Sequence, residues 1–214
     1  MTDTVTETGR LWLRNALNAD ALAPFDALVK GNGRLSLNGP LRDLTGPGRP
    51  LHDAIAPHLP GARPVRAVAF DKTADDNWTV PWHQDRVIAV ADRHDVPGFT
   101  NWSRKDGIWH CEPPVEIFRQ KRFVRLHLDP QTAETGAMEI APGSHRSGAV
   151  PASDAERIAS AGPTELSTAG RGDILILDML VLHRSRPSTA PARRRVLRID
   201  YAAAELPAPL CWAA

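Results

Sequence analysis

The stretch VPWHQDRVIAV, residues 80–90, sets large apolar side chains around one polar group in which His83 and Asp85 stand two apart. Residues i and i+2 of an extended chain point to the same face, so this segment, read as a strand, projects His83 and Asp85 together and Gln84 away from them. Both side chains are competent to bind a metal, although a plain hydrogen-bonded pair satisfies the same spacing. Strand-like segments recur on either side: PVRAVAF (64–70), FVRLHLD (123–129), AMEIAP (137–142), DILILDMLVLH (173–183) and RRVLRIDYA (194–202). Turn clusters such as PQTAETG and PGSHRSG separate several of them. Upstream, LWLRNAL (11–17) opens as a short strand, and residues 19–30 and 50–59 carry apolar positions at near-helical spacing, the second ended by Pro60-Gly61. Helices first and short strands afterwards predict a mainly β fold, an antiparallel sandwich or barrel with helices packed outside. Nineteen prolines and 15 glycines favour the same reading over a helical bundle.

With 214 residues the chain suits one domain, with a core over about 64–202 and helical support from 10–60. The 26 Lys and Arg balance 25 Asp and Glu, so no global field points to nucleic acid or an anionic membrane, and any charge-based function is local. The amino terminus lacks the basic start and apolar run of a signal peptide, and no window approaches the roughly 18 apolar residues of a membrane span. Cys111 and Cys211 stand far apart without a paired motif. The expectation is a reduced, cytoplasmic protein that acts on a small molecule, of no stated oligomeric state.

DILILDMLVLHRSRPS ends a strongly apolar run on His183. A histidine at the mouth of a buried strand either caps it or meets His83 and Asp85 across a barrel. In the second case two histidines and one carboxylate form the facial set that holds non-haem Fe(II) and leaves positions open. Eleven residues beyond His183 stands Arg194. A 2-oxoglutarate bound to such an iron through its keto acid end leaves a distal carboxylate buried, where a planar cation such as Arg194 fits it and Ser185 adds a hydroxyl. Arg193 and Arg195 read as a solvated basic turn.

On VPWHQD, on GAMEIAPGSHRSG (136–148) and on LHRS followed by RRRVLRIDY, the chain resembles the phytanoyl-CoA dioxygenase family of Fe(II)/2-oxoglutarate-dependent oxygenases over roughly residues 64–202. The resemblance implies a double-stranded β-helix, or jelly roll, with iron on His83, Asp85 and His183 and the 2-oxoglutarate distal carboxylate on Arg194 and Ser185. Related halogenases carry a small residue in place of the carboxylate ligand; Asp85 is present, so oxygenation is expected. Its usual outcome is hydroxylation of an unactivated C–H with release of succinate and CO2. Two rivals are a jelly-roll metal enzyme that needs no 2-oxoglutarate and a catalytically silent binding domain.

Alternation adds an inference of its own. In RRVLRIDY, Leu197, Ile199 and Tyr201 share the face that packs under helices, which turns Arg194, Val196, Arg198 and Asp200 into the lumen; FVRLHLD likewise separates Val124, Leu126 and Leu128 from Arg125 and His127. The lumen is then cationic and suits anionic ligands, unless these strands lie at an edge with their polar face in water. Lys72 is read as reaching the keto acid end of the co-substrate, or as a surface lysine, and Arg125 is assigned to the co-substrate too. The segment 99–114 has no clear period and is read as a lid, with Trp102 and Trp109 as substrate contacts beside His127 and Arg198, and His110 as either a surface residue or a further substrate contact. His145 is read with its turn, and His52, His58 and His94 as surface or capping residues.

Overall fold

The computed structural model describes residues 4–213. Its thirteen strands are β1 (Arg10–Leu13), β2 (Gly33–Leu35), β3 (Arg63–Lys72), β4 (Val80–His83), β5 (Ile88–Val90), β6 (Thr100–Lys105), β7 (Ile108–Glu112), β8 (Lys121–His127), β9 (Met138–Ile140), β10 (Glu165–Leu166), β11 (Ile174–Asp178), β12 (His183–Ser185) and β13 (Arg194–Ala202). Six form one antiparallel sheet in the order β1-β11-β8-β13-β3-β2, four form a second in the order β10-β9-β12-β4, and β5-β7-β6 make a third. The two larger sheets build the jelly roll.

Alternation along the central strands sorts the side chains as their sequence predicts. Leu197, Ile199, Tyr201, Val124, Leu126, Ala67 and Ala69 leave the outer face of the six-stranded sheet and bury against Leu22, Phe25, Leu51 and Ile55 of the helices Ala19–Leu28 and Pro50–Ile55. The inner face contributes Phe123, Leu175 and Leu177 to a second cluster with Met138, Ile140 and Val181 of the opposing layer. Each fully buried large aliphatic or aromatic side chain contributes about 1.5–3 kcal/mol, so both faces of this sheet are secured by the same strands. No helix among the described residues is long and apolar enough to cross a membrane.

Three expectations are corrected. First, 80–90 is two strands: β4 ends at His83, and Asp85 lies in the connection to β5. Gln84 does turn away, donating to Gly148 O (2.8 Å) and Leu180 O (2.7 Å) and accepting from Val150 N (2.8 Å). Second, the apolar run 173–183 breaks at Asp178, whose carboxylate accepts from Leu180 N (2.9 Å) while its carbonyl accepts from Val181 N (3.1 Å). That turn carries the chain from β11 in one sheet to β12 in the other, so His183 opens a new strand. Third, most of segment 99–114 is the hairpin β6–β7. Trp102 and Trp109 meet edge-on (ring centroids 6.4 Å apart, 80° between planes) and pack on Phe99, Leu210 and Trp212.

Candidate active site

In β12 and β4, His183 lies directly opposite His83, with ring centroids 4.2 Å apart. Each histidine sets its Nδ1 on the carbonyl two residues back: His83 on Pro81 O at 2.8 Å, His183 on Val181 O at 2.9 Å. A carbonyl only accepts, so Nδ1 carries a proton in both rings, which fixes their orientation and turns Nε2 towards the site. Asp85 completes the set, its Oδ2 3.2 Å from His183 Nε2, and one donor atom from each of the three lies within 4.8 Å of the others. Burial lowers the proton affinity of His83, reinforced by His183. Burial works the other way on Asp85, but the Arg198 charge beside it and the His183 hydrogen bond hold its carboxyl well below the usual range. Two imidazoles and one carboxylate, gathered from the end of β4 and the start of β12, fit a ferrous ion bound on one side.

Arg198 ties this cluster to the six-stranded sheet. Its NH1 donates to Asp85 Oδ2 (2.6 Å) and its Nε to Asp200 Oδ1 (2.7 Å), while Lys121 Nζ and Arg66 NH1 approach Asp200 Oδ2 at 3.8 and 3.7 Å. At the start of β13, two alternations before Arg198 on the same face, buried Arg194 donates to Gly136 O (2.6 Å) and Gln131 Oε1 (3.1 Å) and keeps an unpartnered Nε. Ser185 lines the same open cavity and accepts from Lys72 Nζ at 3.2 Å. Lys72 is fully buried, also donating to Trp78 O and Arg186 O; burial, then Arg194 and Arg125, push it down to about 8. Arg125 lies over the Phe70 ring at 5.7 Å with its Nε unpartnered, and no carboxylate among the described residues pairs with it. Unpartnered buried guanidinium nitrogens beside a hydroxyl fit the carboxylates of a 2-oxo acid.

The cavity thus joins His83, Asp85, His183, Ser185, Arg125, Arg194 and Arg198. Lys72 sits opposite Arg194 and beside Ser185, fully buried, so it is no surface lysine. Trp102, Trp109 and His110 are not brought to the cavity: the two tryptophans pack in the small sheet, and His110 is buried there with Nδ1 on Ile108 O. His127 is fully buried against Trp12 and does not line it either. Arg193 is exposed as expected, though it grips Asp71, whereas Arg195 belongs to β13 and grips Asp129 with both ends of its guanidinium group, so it is no part of a solvated turn. Sequence reasoning missed Arg66, Phe70 and Trp78, which also line the cavity. The alternation that sorted 194–201 would have found Arg66 and Phe70 in RPVRAVAFDK; nothing in TADDNW singles out Trp78.

A jelly roll with a two-histidine, one-carboxylate cluster and an arginine-lined cavity beside it defines the class of non-haem iron, 2-oxo-acid-dependent oxygenases. The phytanoyl-CoA dioxygenase (PhyH) family model matches residues 42–196, and the chain belongs to that family of Fe(II)/2-oxoglutarate-dependent enzymes. No curated protein matches the sequence significantly. Among solved structures, AviO1 from Streptomyces viridochromogenes Tue57 is similar at 22% identity and a TM-score of 0.64, over 97% of this chain and 96% of that one. EctD from S. alaskensis with bound Fe is similar at 14% identity and 0.67, over 93% and 74%. SnoN, a non-heme alpha ketoglutarate dependent epimerase from nogalamycin biosynthesis, is similar at 14% identity and 0.65, over 92% and 79%. At these identities the likeness is one of fold.

Proposed function

We propose that the protein hydroxylates an unactivated C–H of a small polar or carboxylated metabolite, releasing succinate and CO2, with iron on His83, Asp85 and His183. The observation that carries this reading is the convergence of those three donors in one cavity with the unpartnered Nε of Arg194. Ferrous iron with 2-oxoglutarate would supply the oxidant there, O2 being consumed as the 2-oxo acid loses CO2. The chain's own residues do the placing. His83 and His183, fixed by Pro81 O and Val181 O, present Nε2 to the metal position. Arg194, with Ser185 and Lys72, holds the distal carboxylate, and Arg125 neutralises the carboxylate nearer the metal. Phe70 and Trp78 wall the cavity and exclude water from the reacting carbon. Epimerisation or desaturation can begin from the same hydrogen abstraction, so the pocket's grip on the substrate decides the outcome.

The test is an anaerobic titration followed by turnover. Fe(II) plus 2-oxoglutarate is expected to give the weak visible absorption of their chelate, and succinate release with a metabolite panel is expected to vanish in His83→Ala. Iron binding without the absorption would point to an enzyme independent of 2-oxoglutarate, and failure to bind iron to a silent binding domain.

A further inference from the structure

The inner faces of β3, β8 and β13 carry Arg66, Lys72, Lys121, Arg125, Arg194 and Arg198, and the carboxylates set against them among the described residues are Asp85 and Asp200. The register makes the imbalance sharper: Arg194 stands directly opposite Lys72, and Arg198 directly opposite Arg125. Like charges placed opposite one another weaken a sheet, so the arrangement implies anions that arrive from outside. A divalent metal and a doubly charged 2-oxo acid cancel each other and leave the balance where it was. Two carboxylates offset two of the six cations, and discharging both lysines would still leave a surplus.

Arg66 is where that surplus is open to a ligand. It lines the cavity, its side chain is 24% exposed, and its one carboxylate contact among the described residues, Asp200 Oδ2 at 3.7 Å, is too long for a hydrogen bond. Asp200 is already engaged by Arg198. Behind Arg66 stands Arg34, on the neighbouring strand β2 and paired with Val68, which places it on the same face and diagonal to Arg66. Arg34 is half-buried and forms no ion pair among the described residues. Burial and the Arg66 charge both weaken its hold on its proton, and the same two arginines with Lys105 act on His110 across from them. The mouth of the cavity therefore has a cationic rim distinct from the Arg194 end.

We infer that the prime substrate is an anion, and that Arg66, supported by Arg34, holds its carboxylate or phosphate at the cavity mouth while the reacting C–H reaches over His83 and His183. This rests on the oxygenase reading above and adds the substrate's charge and the residues that read it. A fixed guanidinium forms two parallel hydrogen bonds to either oxyanion, and a neutral substrate would leave both arginines uncompensated.

The test uses protein loaded anaerobically with Mn(II) and saturating 2-oxoglutarate, with inorganic phosphate and acetate as separate probes followed by 31P and 1H relaxation. Saturable relaxation by the bound metal is expected for at least one probe, and the tighter of the two tells phosphate from carboxylate. Arg66→Ala is expected to weaken that binding about tenfold, the loss of one charge-assisted contact, Arg34→Ala less, and Arg66→Lys to restore part of it. In turnover, acids from a metabolite panel should stimulate succinate release where their amides and methyl esters do not. Probes that never feel the metal in the wild type, unchanged binding in Arg66→Ala, or equal stimulation by neutral counterparts would overturn the inference. The Fe(II)/2-oxoglutarate chelate absorption, measured on the same samples, reports separately on the oxygenase reading.

Discussion

Asp85 has two oxygens to distribute, and Arg198 already holds Oδ2 at 2.6 Å, which leaves Oδ1 free to face a metal. Arg198 is itself fixed by Asp200 and stacked over Phe123 at 4.2 Å, so it acts as a rigid backing to the ligand. Partners of this kind typically set metal affinity by a factor of about 10–100. Arg198→Ala is therefore expected to weaken ferrous binding by about that factor in anaerobic titration, with Arg198→Lys between it and the wild type; equal affinities would deny Arg198 a positioning role. Lys72 allows a pH test. It faces Arg194, Arg125, Ser185, Trp78 O and Arg186 O, and its value of about 8 is depressed by burial and by the two arginines. A depressed lysine favours the neutral form when folded, so its unfavourable contribution to stability is present at neutral pH and disappears as pH rises through 8 towards the unfolded value. Binding runs the opposite way, because a carboxylate prefers the charged amine. The dissociation constant for 2-oxoglutarate should rise as pH passes 8 in the wild type and stay flat there in Lys72→Met, as read by calorimetry; parallel profiles would show that Lys72 does not touch the co-substrate.

Elements explain what the sequence disclosed and what it hid. Strands 64–70, 123–129 and 194–202 were legible because apolar residues fall on alternate positions and bury under helices, and the same alternation turned Arg125, Arg194 and Arg198 inward. The break at Asp178 was written in DILILDMLVLH as a single acidic residue in an apolar run, but hydrophobic continuity outweighed it; only the Leu180 N contact shows that it makes a turn. Trp102, Trp109 and His110 misled because a polar, aromatic stretch without a period resembles a binding loop, whereas cross-strand pairing with β5 gives it a structural task. The loop before β9 supplies an element-scale prediction. Gly136 has φ +71°, gives its carbonyl to Arg194, and leaves no room: a Cβ there would meet Arg186 O at 2.8 Å and Ser188 N at 3.0 Å. The left-handed backbone alone costs a non-glycine residue about 1–2 kcal/mol. Gly136→Ala is expected to lower the melting temperature and also to weaken 2-oxoglutarate binding, because Arg186 O and Gly136 O hold Lys72 and Arg194. A stability loss with unaltered binding would separate the loop from the co-substrate end.

At the scale of the molecule, the three metal donors hang from the four-stranded layer and its connection, whereas Arg194, Arg125 and Arg198 belong to the six-stranded sheet. Without ligands, polar links between the layers at this cavity include the contacts of Asp85 with Arg198 and of Ser185 with Lys72. A 2-oxo acid chelating a metal on the first layer and paired with Arg194 on the second would tie the two sheets together, and each ligand would raise the other's affinity. Ligand at about 100 times its dissociation constant stabilises the folded state by about 2.7 kcal/mol. For a chain of this size that corresponds to roughly 5–10 °C in melting temperature. Mn(II), standing in for Fe(II) in air, and 2-oxoglutarate are expected to raise the melting temperature together by more than the sum of their separate effects. Arg194→Ala should keep the shift given by Mn(II) and lose the excess, and His83→Ala should lose both. Shifts that simply add in the wild type would mean that the two ligands do not share a site, and the cavity would then hold a metal without the 2-oxo acid bridging its walls.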